Sequence, residues 1–244
     1  MLKQVVYEIV ENIPLTDVVY KMVLKGDTSA ITASGQFVNI KVHGFFLRRP
    51  ISVCDFKDDS LTLVYKVVGG GTKALSMMQK GEKLDCLTGL GNGYSLSESG
   101  EKPLLIGGGV GIPPLYNLCK KLLKQGKKPT VILGFNTKSE IFLEDAFCDL
   151  GIRTIVATAD GSYGTKGFVT DAMAGVDYTY FYTCGPEPMF RAVENKVTTS
   201  GQYSFEERMG CGFGACMGCS CQTKYGNKRI CKEGPVLKRE EIIW

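Results

Sequence analysis

Apolar and polar positions follow two different rhythms along the 244 residues. Up to about residue 96 the rhythm is that of short strands. Leu2–Glu11, Thr16–Leu24, Gln36–Val42, Ile51–Phe56, Ser60–Val67 and Lys83–Leu87 are rich in Val, Ile, Leu and Tyr. Turn signals at Asn12-Ile-Pro, Lys25-Gly-Asp, Ser34-Gly, Asp58-Asp-Ser and Gly91-Asn-Gly punctuate them. Short strands at this spacing, with no sustained helical period before Thr72, predict a small antiparallel β-barrel.

A polar stretch, Ser97-Glu-Ser-Gly-Glu-Lys-Pro103, reads as a linker. Beyond it strands alternate with helices. Strands are predicted at Leu104–Gly107, Thr130–Phe135, Ile152–Thr158 and Tyr178–Thr183. Helices are predicted at Pro113–Gln125, Ser139–Leu150, around Gly167–Ala174 and at Pro186–Thr198, the last with proline at its first position and Met189, Phe190, Val193 and Val197 facing inward. This order implies a doubly wound α/β unit on a parallel sheet, with ligands beyond the carboxyl ends of its strands. The expected domains are a barrel at 1–99, a nucleotide unit at 100–203 and a small cysteine-rich module at 204–244.

Composition narrows the class. Hydrophobic content of 44% and charged content of 22% are those of a globular chain. The net charge of +4 carries no basic, aromatic-interleaved face, so nucleic acid is not expected as a partner. No apolar run reaches the roughly 18 residues of a membrane span, and the start of the chain alternates like a strand. A cytoplasmic protein without a membrane anchor is expected. Ten cysteines then argue for metal or redox chemistry rather than disulfides. Cys54, Cys86, Cys119 and Cys148 read as small core hydrophobes, and Cys184 is the exception to watch. The one histidine, His43, reads as a surface or strand residue, and no Ser/His/Asp set is required.

The most specific chemistry lies near the end of the chain. Cys211, Cys216 and Cys219, completed by Cys231, follow the C-x4-C-x2-C…C ligand order of plant-type [2Fe–2S] proteins. Gly210, Gly212, Gly214 and Gly218 suit a backbone that wraps closely around an inorganic core. A zinc knuckle is the rival reading, although zinc favours two C-x2-C pairs. Cys221, two residues beyond Cys219, is expected to point to the opposite face as a buried thiol.

Two weaker features lie in the barrel. Arg48-Arg-Pro-Ile-Ser52 sets an arginine three residues before a hydroxyl, a pair suited to phosphate. Gly69-Gly-Gly-Thr72 leads into a short helix with Thr72 as expected N-cap, an anion site by its free N–H groups. Together they point to a bound flavin dinucleotide. In the α/β unit, Gly107-Gly-Gly-Val-Gly-Ile-Pro-Pro114 and Cys184-Gly-Pro186 are strand-to-helix turns. Gly108, Gly109, Gly111, Cys184 and Gly185 are therefore the candidate nucleotide contacts. The first turn is not a G-x-G-x-x-G fingerprint, since Ile112 replaces the last glycine. No acidic residue for a ribose 2′-hydroxyl and no arginine pair for a 2′-phosphate stands out, which leaves NAD against NADP open at this level.

These motifs, in this order, resemble the ferredoxin reductase superfamily with a C-terminal [2Fe–2S] module. More closely, Leu47-Arg-Arg-Pro-Ile-Ser52, Ala159-Asp-Gly-Ser-Tyr-Gly164, Glu206-Glu-Arg-Met-Gly-Cys-Gly-Phe-Gly-Ala-Cys216 and Cys231-Lys-Glu-Gly-Pro-Val236 resemble the electron-transfer subunits of dihydroorotate dehydrogenase B. The resemblance spans nearly the whole chain. It implies FAD, a [2Fe–2S] cluster and NAD as cofactors, and an FMN-binding dihydroorotate dehydrogenase catalytic subunit as partner, in a heterotetramer of two of each. It implies that Arg49, Pro50, Ile51 and Ser52 hold the flavin and its phosphates, that Val64, Tyr65 and Lys66 lie along it, and that Gly71 and Thr72 take the pyrophosphate. It implies Cys211, Cys216, Cys219 and Cys231 as iron ligands. Ile51 departs from the superfamily's R-x-Y-S/T pattern, giving up an aromatic contact with the flavin ring. The implied activity is electron transfer to NAD+ in pyrimidine synthesis. The alternative is a reductase subunit of a hydrogenase or of an NADH-dependent ferredoxin-NADP-type complex.

Overall fold

A computed structural model describes residues 2–244. The first six strands are β1 (Lys3–Pro14), β2 (Val19–Lys25), β3 (Phe37–Ile40), β4 (Arg49–Lys57), β5 (Ser60–Lys66) and β6 (Lys83–Leu90). They close into a barrel in the order β1-β2-β5-β4-β3-β6, with every pairing antiparallel. The alternation in the sequence fills its interior: Tyr7 and Ile9 of β1, Met22 and Leu24 of β2, and Leu61 and Leu63 of β5 all point inward. A single short helix, α1 (Gly70–Ser76), interrupts the strands. Its N-cap is Gly69, not Thr72. Thr72 stands three residues inside, where its hydroxyl reaches back to accept from the N–H groups of Val68 and Gly69.

The second half is a sheet built on β7 (Pro103–Gly108), β8 (Thr130–Phe135), β9 (Arg153–Thr158), β10 (Thr165–Lys166), β11 (Tyr180–Cys184) and β12 (Gly201–Ser204). All six run parallel, in the order β10-β9-β8-β7-β11-β12. Helix α2 (Pro113–Lys124) covers one face with Leu115, Leu118, Cys119 and Leu122. Helices α4 (Val169–Ala172) and α5 (Glu187–Glu194) cover the other. Pro186 is the N-cap of α5 rather than its first residue, and Pro188 takes an early helical position. Residues 97–102 form no strand or helix, although Ser99 among them is buried, and Pro103 is buried and already belongs to β7.

The helix expected at Ser139–Leu150 is broken. A 3-10 turn at Lys138–Glu140 precedes α3 (Glu144–Cys148), and Leu143 between them adopts a left-handed backbone at φ 61°. The cause lies in the apolar spacing. Phe142 packs edge-on to Phe135 and Phe147 packs edge-on to Tyr116, both in one core. Five residues apart, the two rings would face different sides of a continuous helix.

The cysteine-rich module adds the hairpin β13 (Ser220–Thr223) and β14 (Gly226–Arg229), then β15 (Val236–Lys238). Strand β15 pairs antiparallel with β12 and so extends the nucleotide sheet. Cys219, Ile230, Cys231 and Leu237 join Phe190 and Tyr203 in one continuous core. Of the isolated thiols, Cys54, Cys86 and Cys119 are buried as expected, but Cys148 at the end of α3 is exposed. His43 sits exposed in a turn. Among the described residues no helix is long and apolar enough to cross a membrane.

Candidate functional site

Barrel, nucleotide sheet and cysteine module together wall one cleft of about 770 Å³. The barrel side is the run Arg49, Pro50, Ile51 and Ser52 of β4, with Val64, Tyr65 and Lys66 of β5 beside it and Thr72 at its end. Val64 offers a buried apolar surface. Tyr65 borders the cleft while its ring is committed elsewhere, stacked on Tyr20 with its hydroxyl donating to Asn12 Oδ1 at 3.0 Å. Gly71 does not line the cleft, but it shapes it. A Cβ there would lie 2.2 Å from Arg49 Nε, so only glycine lets the guanidinium lie across the start of α1. The Arg49 guanidinium also stacks over Phe45, 4.7 Å from the ring centroid. The N–H groups of Gly70, Gly71 and Thr72 have no acceptor within the helix. Beside them Arg49 completes an electropositive pocket suited to a diphosphate.

The opposite wall is made of two interlocked loops. After β7, Gly109–Gly111 form a 3-10 turn pinned by the fully buried Ile112. After β11 come Cys184, Gly185 and Pro186. A Cβ on Gly111 would lie 2.3 Å from the carbonyl oxygen of Cys184, so the two main chains touch. Pro113 and Pro114 open α2 without N–H groups, which leaves the glycine loop itself to supply donors. Cys184 is half-buried, but its sulfur lies beside the hydroxyls of Ser204 and Tyr94. Burial pushes that thiol up to about 12, so it is neutral over the working pH range.

Sequence reasoning missed the third wall, formed by Phe205, Glu206, Glu207, Met209 and Pro235 of the cysteine module. Nothing in their spacing announces it, because the packing of β15 on β12 brings them there. It also missed Glu140, on the cleft beyond β8, which accepts from the N–H of Asn136 at 3.2 Å and from its Nδ2 at 2.9 Å.

The cysteine loop presents two pairs of sulfurs. Cys211 Sγ accepts from the N–H of Ala215 at 3.2 Å and of Cys216 at 3.4 Å. Cys216 Sγ accepts from the N–H of Cys211 and of Gly218, each at 3.5 Å. In the inner pair, Cys219 Sγ accepts from the N–H of Cys231 at 3.4 Å. Cys219 and Cys231 are buried, Cys211 is half-buried and Cys216 is exposed. Burial pushes the Cys211 thiol up, but the N–H groups of Phe213, Cys216 and Ala215 and the Cys216 sulfur outweigh it and bring it down to about 6. Burial and the neighbouring Cys219 sulfur hold Cys231 up to about 12. A mononuclear zinc cage draws its four ligands around one centre, whereas a two-iron cluster takes thiolates on each of two irons, tuned by N–H groups at the sulfurs. The paired sulfurs and their N–H donors fit the second. Arg229 braces the loop, donating from Nη1 to the carbonyl of Gly214 at 2.6 Å while paired with Glu233. Cys221, expected to be a buried thiol, is only half-buried, at the edge of the core. Burial raises its thiol above the ordinary value, with Glu207 and the Cys219 sulfur both close enough to add to the shift.

Residues 206–243 match the model of the iron-sulfur cluster binding domain of dihydroorotate dehydrogenase B, and residues 105–195 match the oxidoreductase NAD-binding domain. Over 257 aligned residues the chain is 42% identical to the dihydroorotate dehydrogenase B (NAD(+)), electron transfer subunit of Geobacillus sp. (strain WCH70), covering all of both chains. The chain belongs to the family of dihydroorotate dehydrogenase B electron transfer subunits. Its Bacillus mycoides (strain KBAB4) relative of the same name is 44% identical, covering 92% of this chain and 93% of the relative. Among solved structures, one reported as the NADH-dependent reduced ferredoxin-NADP oxidoreductase, in a study of flavin-based electron bifurcation, superposes with a TM-score of 0.89. It is 32% identical, covering 98% of this chain and 90% of that one. A ferredoxin NADP+ reductase from Neisseria gonorrhoeae with bound FAD and NADP shares the fold, at 17% identity and a TM-score of 0.67 over 80% of this chain and 91% of that one. Within the family fold, Gly71 is the one flavin or nucleotide candidate that stands behind the cleft wall rather than on it.

Proposed function

We propose that this chain is the electron-transfer subunit of a dihydroorotate dehydrogenase of the B type, passing electrons from a catalytic partner subunit to NAD+ in pyrimidine synthesis. The observation that carries the reading is the shared cleft: barrel, nucleotide sheet and cysteine module each supply a wall. When bound, FAD exchanges hydride with nicotinamide and single electrons with a [2Fe–2S] cluster, which joins two-electron to one-electron chemistry.

The chain's own residues divide that task. Arg49 and the start of α1, with Gly71 and Thr72, hold the phosphates of the flavin nucleotide by charge and by free N–H groups. Pro50, Ile51, Ser52, Val64, Tyr65 and Lys66 form the surface along which the flavin lies. Gly108, Gly109 and Gly111, facing Cys184 and Gly185, keep side chains out of the way of the nicotinamide nucleotide. Cys184 exchanges no proton, because burial keeps it neutral. Cys211, Cys216, Cys219 and Cys231 would hold the cluster. The barrel at 1–99, the nucleotide unit at 100–203 and the cluster module at 204–244 are the working parts, with β15 tying the third to the second.

The partner is read as an FMN-containing subunit that oxidises dihydroorotate, in a complex of two copies of each chain. The surface around the exposed Cys216 is the docking face we infer, supported by Phe213 and Met217, which stand out into solvent at 44% and 55% exposure. Co-expression with an FMN subunit tests this. The complex should reduce NAD+ with dihydroorotate, and the isolated chain should oxidise NADH with artificial acceptors but ignore dihydroorotate. A partnered chain that turns over NADH yet never dihydroorotate favours the second reading, a reductase subunit of a ferredoxin-linked complex. The likeness to the NADH-dependent reduced ferredoxin-NADP oxidoreductase structure supports that alternative.

A further inference from the structure

Asn39 stands in the middle of β3, 1% exposed, with its main chain paired to Pro50 of β4 on one side and Leu87 of β6 on the other. Its side chain leaves the barrel and meets the cysteine loop, where Nδ2 donates to the carbonyl oxygen of Cys211 at 3.1 Å. The next residue, Gly212, is shaped for this contact. Its φ is +77°, and a Cβ there would lie 2.3 Å from Asn39 Nδ2. From the other side Arg48 Nη1 donates to the carbonyls of Asn39 at 3.2 Å and Asp85 at 3.0 Å, which fixes the strand. The other amide atom, Asn39 Oδ1, is buried with no hydrogen-bond partner. A half-satisfied buried amide is unfavourable. Barrel stability alone therefore does not account for asparagine at this position.

We propose that Asn39 is a positioning residue for electron transfer: it locks Cys211, the first cluster ligand, to the strand next to the flavin run of β4, and so fixes the separation of the two redox sites. The inference rests on the proposed roles of Cys211 and of Arg49–Ser52. Pro50 and Cys211 meet at one residue, the first through the β-ladder and the second through the amide. Electron transfer rates fall steeply with separation, so a Cys211 loop free to drift slows the exchange while flavin and cluster both stay bound.

The test uses the full chain loaded with FAD and cluster. Asn39→Asp keeps the size but sets a carboxylate against the Cys211 carbonyl, and Asn39→Leu removes the polar contact altogether. Both should retain flavin and iron within about twofold, with flavin reduction by NADH as the internal control. Amide exchange over residues 210–216 should speed up by roughly tenfold or more as the loop opens locally. The low-temperature EPR lines of the reduced cluster should shift, and reduction of the cluster should lag behind that of the flavin by roughly tenfold more than in the parent. Unchanged exchange, EPR lines and lag would overturn the proposal. So would loss of the cluster from Asn39→Asp, which would make the residue a folding requirement of the loop. A parent protein lacking flavin or cluster would instead overturn the proposed function.

Discussion

Asn117 of α2 donates from Nδ2 to Asp55 Oδ1 of β4 at 2.6 Å, across the seam between the barrel and the nucleotide sheet. Ser34 completes the bridge by donating to Asn117 Oδ1 at 2.6 Å, and Lys120 pairs with Asp55. The seam joins the element that follows the glycine loop of β7 to the strand that carries Arg49–Ser52, and these two stretches face each other across the cleft. Replacing Asn117 by Ala leaves Asp55 and Ser34 short of a buried partner and is expected to cost about 1–3 kcal/mol. A urea melt reads this directly, and an unchanged midpoint would contradict it.

The contact between the two nucleotide loops is main chain on main chain, with no flexible side chain to yield. Gly111→Ala places a methyl group against the Cys184 carbonyl and must spread the loops. A misplacement of about an ångström is expected to lower kcat/KM for NADH by up to about 10²-fold in a diaphorase assay, with flavin still bound. Activity within twofold of the parent would show that the loops move freely.

Much of this arrangement is legible in the sequence, and the illegible part has physical causes. The barrel strands alternate and the parallel strands are continuous apolar runs bounded by glycine, so both classes announce themselves. Strand β12, Gly201–Ser204, carries Gln and Ser in buried positions that only tertiary hydrogen bonds satisfy, as when Gln202 Nε2 donates to Ser95 O at 2.8 Å. Strand β15 is three residues long. Neither offers a local signal, so the docking of the cysteine module on the nucleotide sheet, and with it the third cleft wall, stayed hidden. The broken helix before α3 has the same origin, since core packing of Phe142 and Phe147 overrides local propensity. The cysteine module announced itself by its spacing, and residues 206–243 match the iron-sulfur cluster binding domain model.

Arg229 ties the carbonyl of Gly214 to the β14 side of the module through a guanidinium already oriented by Glu233. Arg229→Gln removes both links. Outer-shell supports of this kind are typically worth about 10–100-fold in metal affinity. The variant is expected to lose its visible cluster absorbance to a chelator at least about tenfold faster. Equal loss rates would show that the loop holds its shape without the brace.

Stability should fall on the alkaline side. Cys86 and Cys119 are fully buried, and burial pushes both thiols from the ordinary value of 9.0 up to about 12. The folded chain keeps these protons while the unfolded chain releases them. Their contribution is therefore fully present below pH 9 and is lost as pH rises from 9 toward 12. Each thiol accounts for on the order of 1.4 kcal/mol per pH unit within that window. Denaturation at pH 8, 9.5 and 10.5 measures the slope, and Cys86→Ala with Cys119→Ala should reduce it, leaving the share of Cys54 and Cys184, whose thiols burial also raises. An unaltered slope would place its origin elsewhere.

On the proposed function, Cys211, Cys216, Cys219 and Cys231 grip two irons wired to a flavin in the same chain. Iron and acid-labile sulfide analysis of the purified protein beside Cys219→Ser decides this, with NADH reduction of the flavin followed in both. Two irons and two sulfides per chain are expected in the parent. The serine variant should lose them while its flavin is still bleached by NADH. Zinc in the parent, or a full complement of iron in Cys219→Ser, would contradict it.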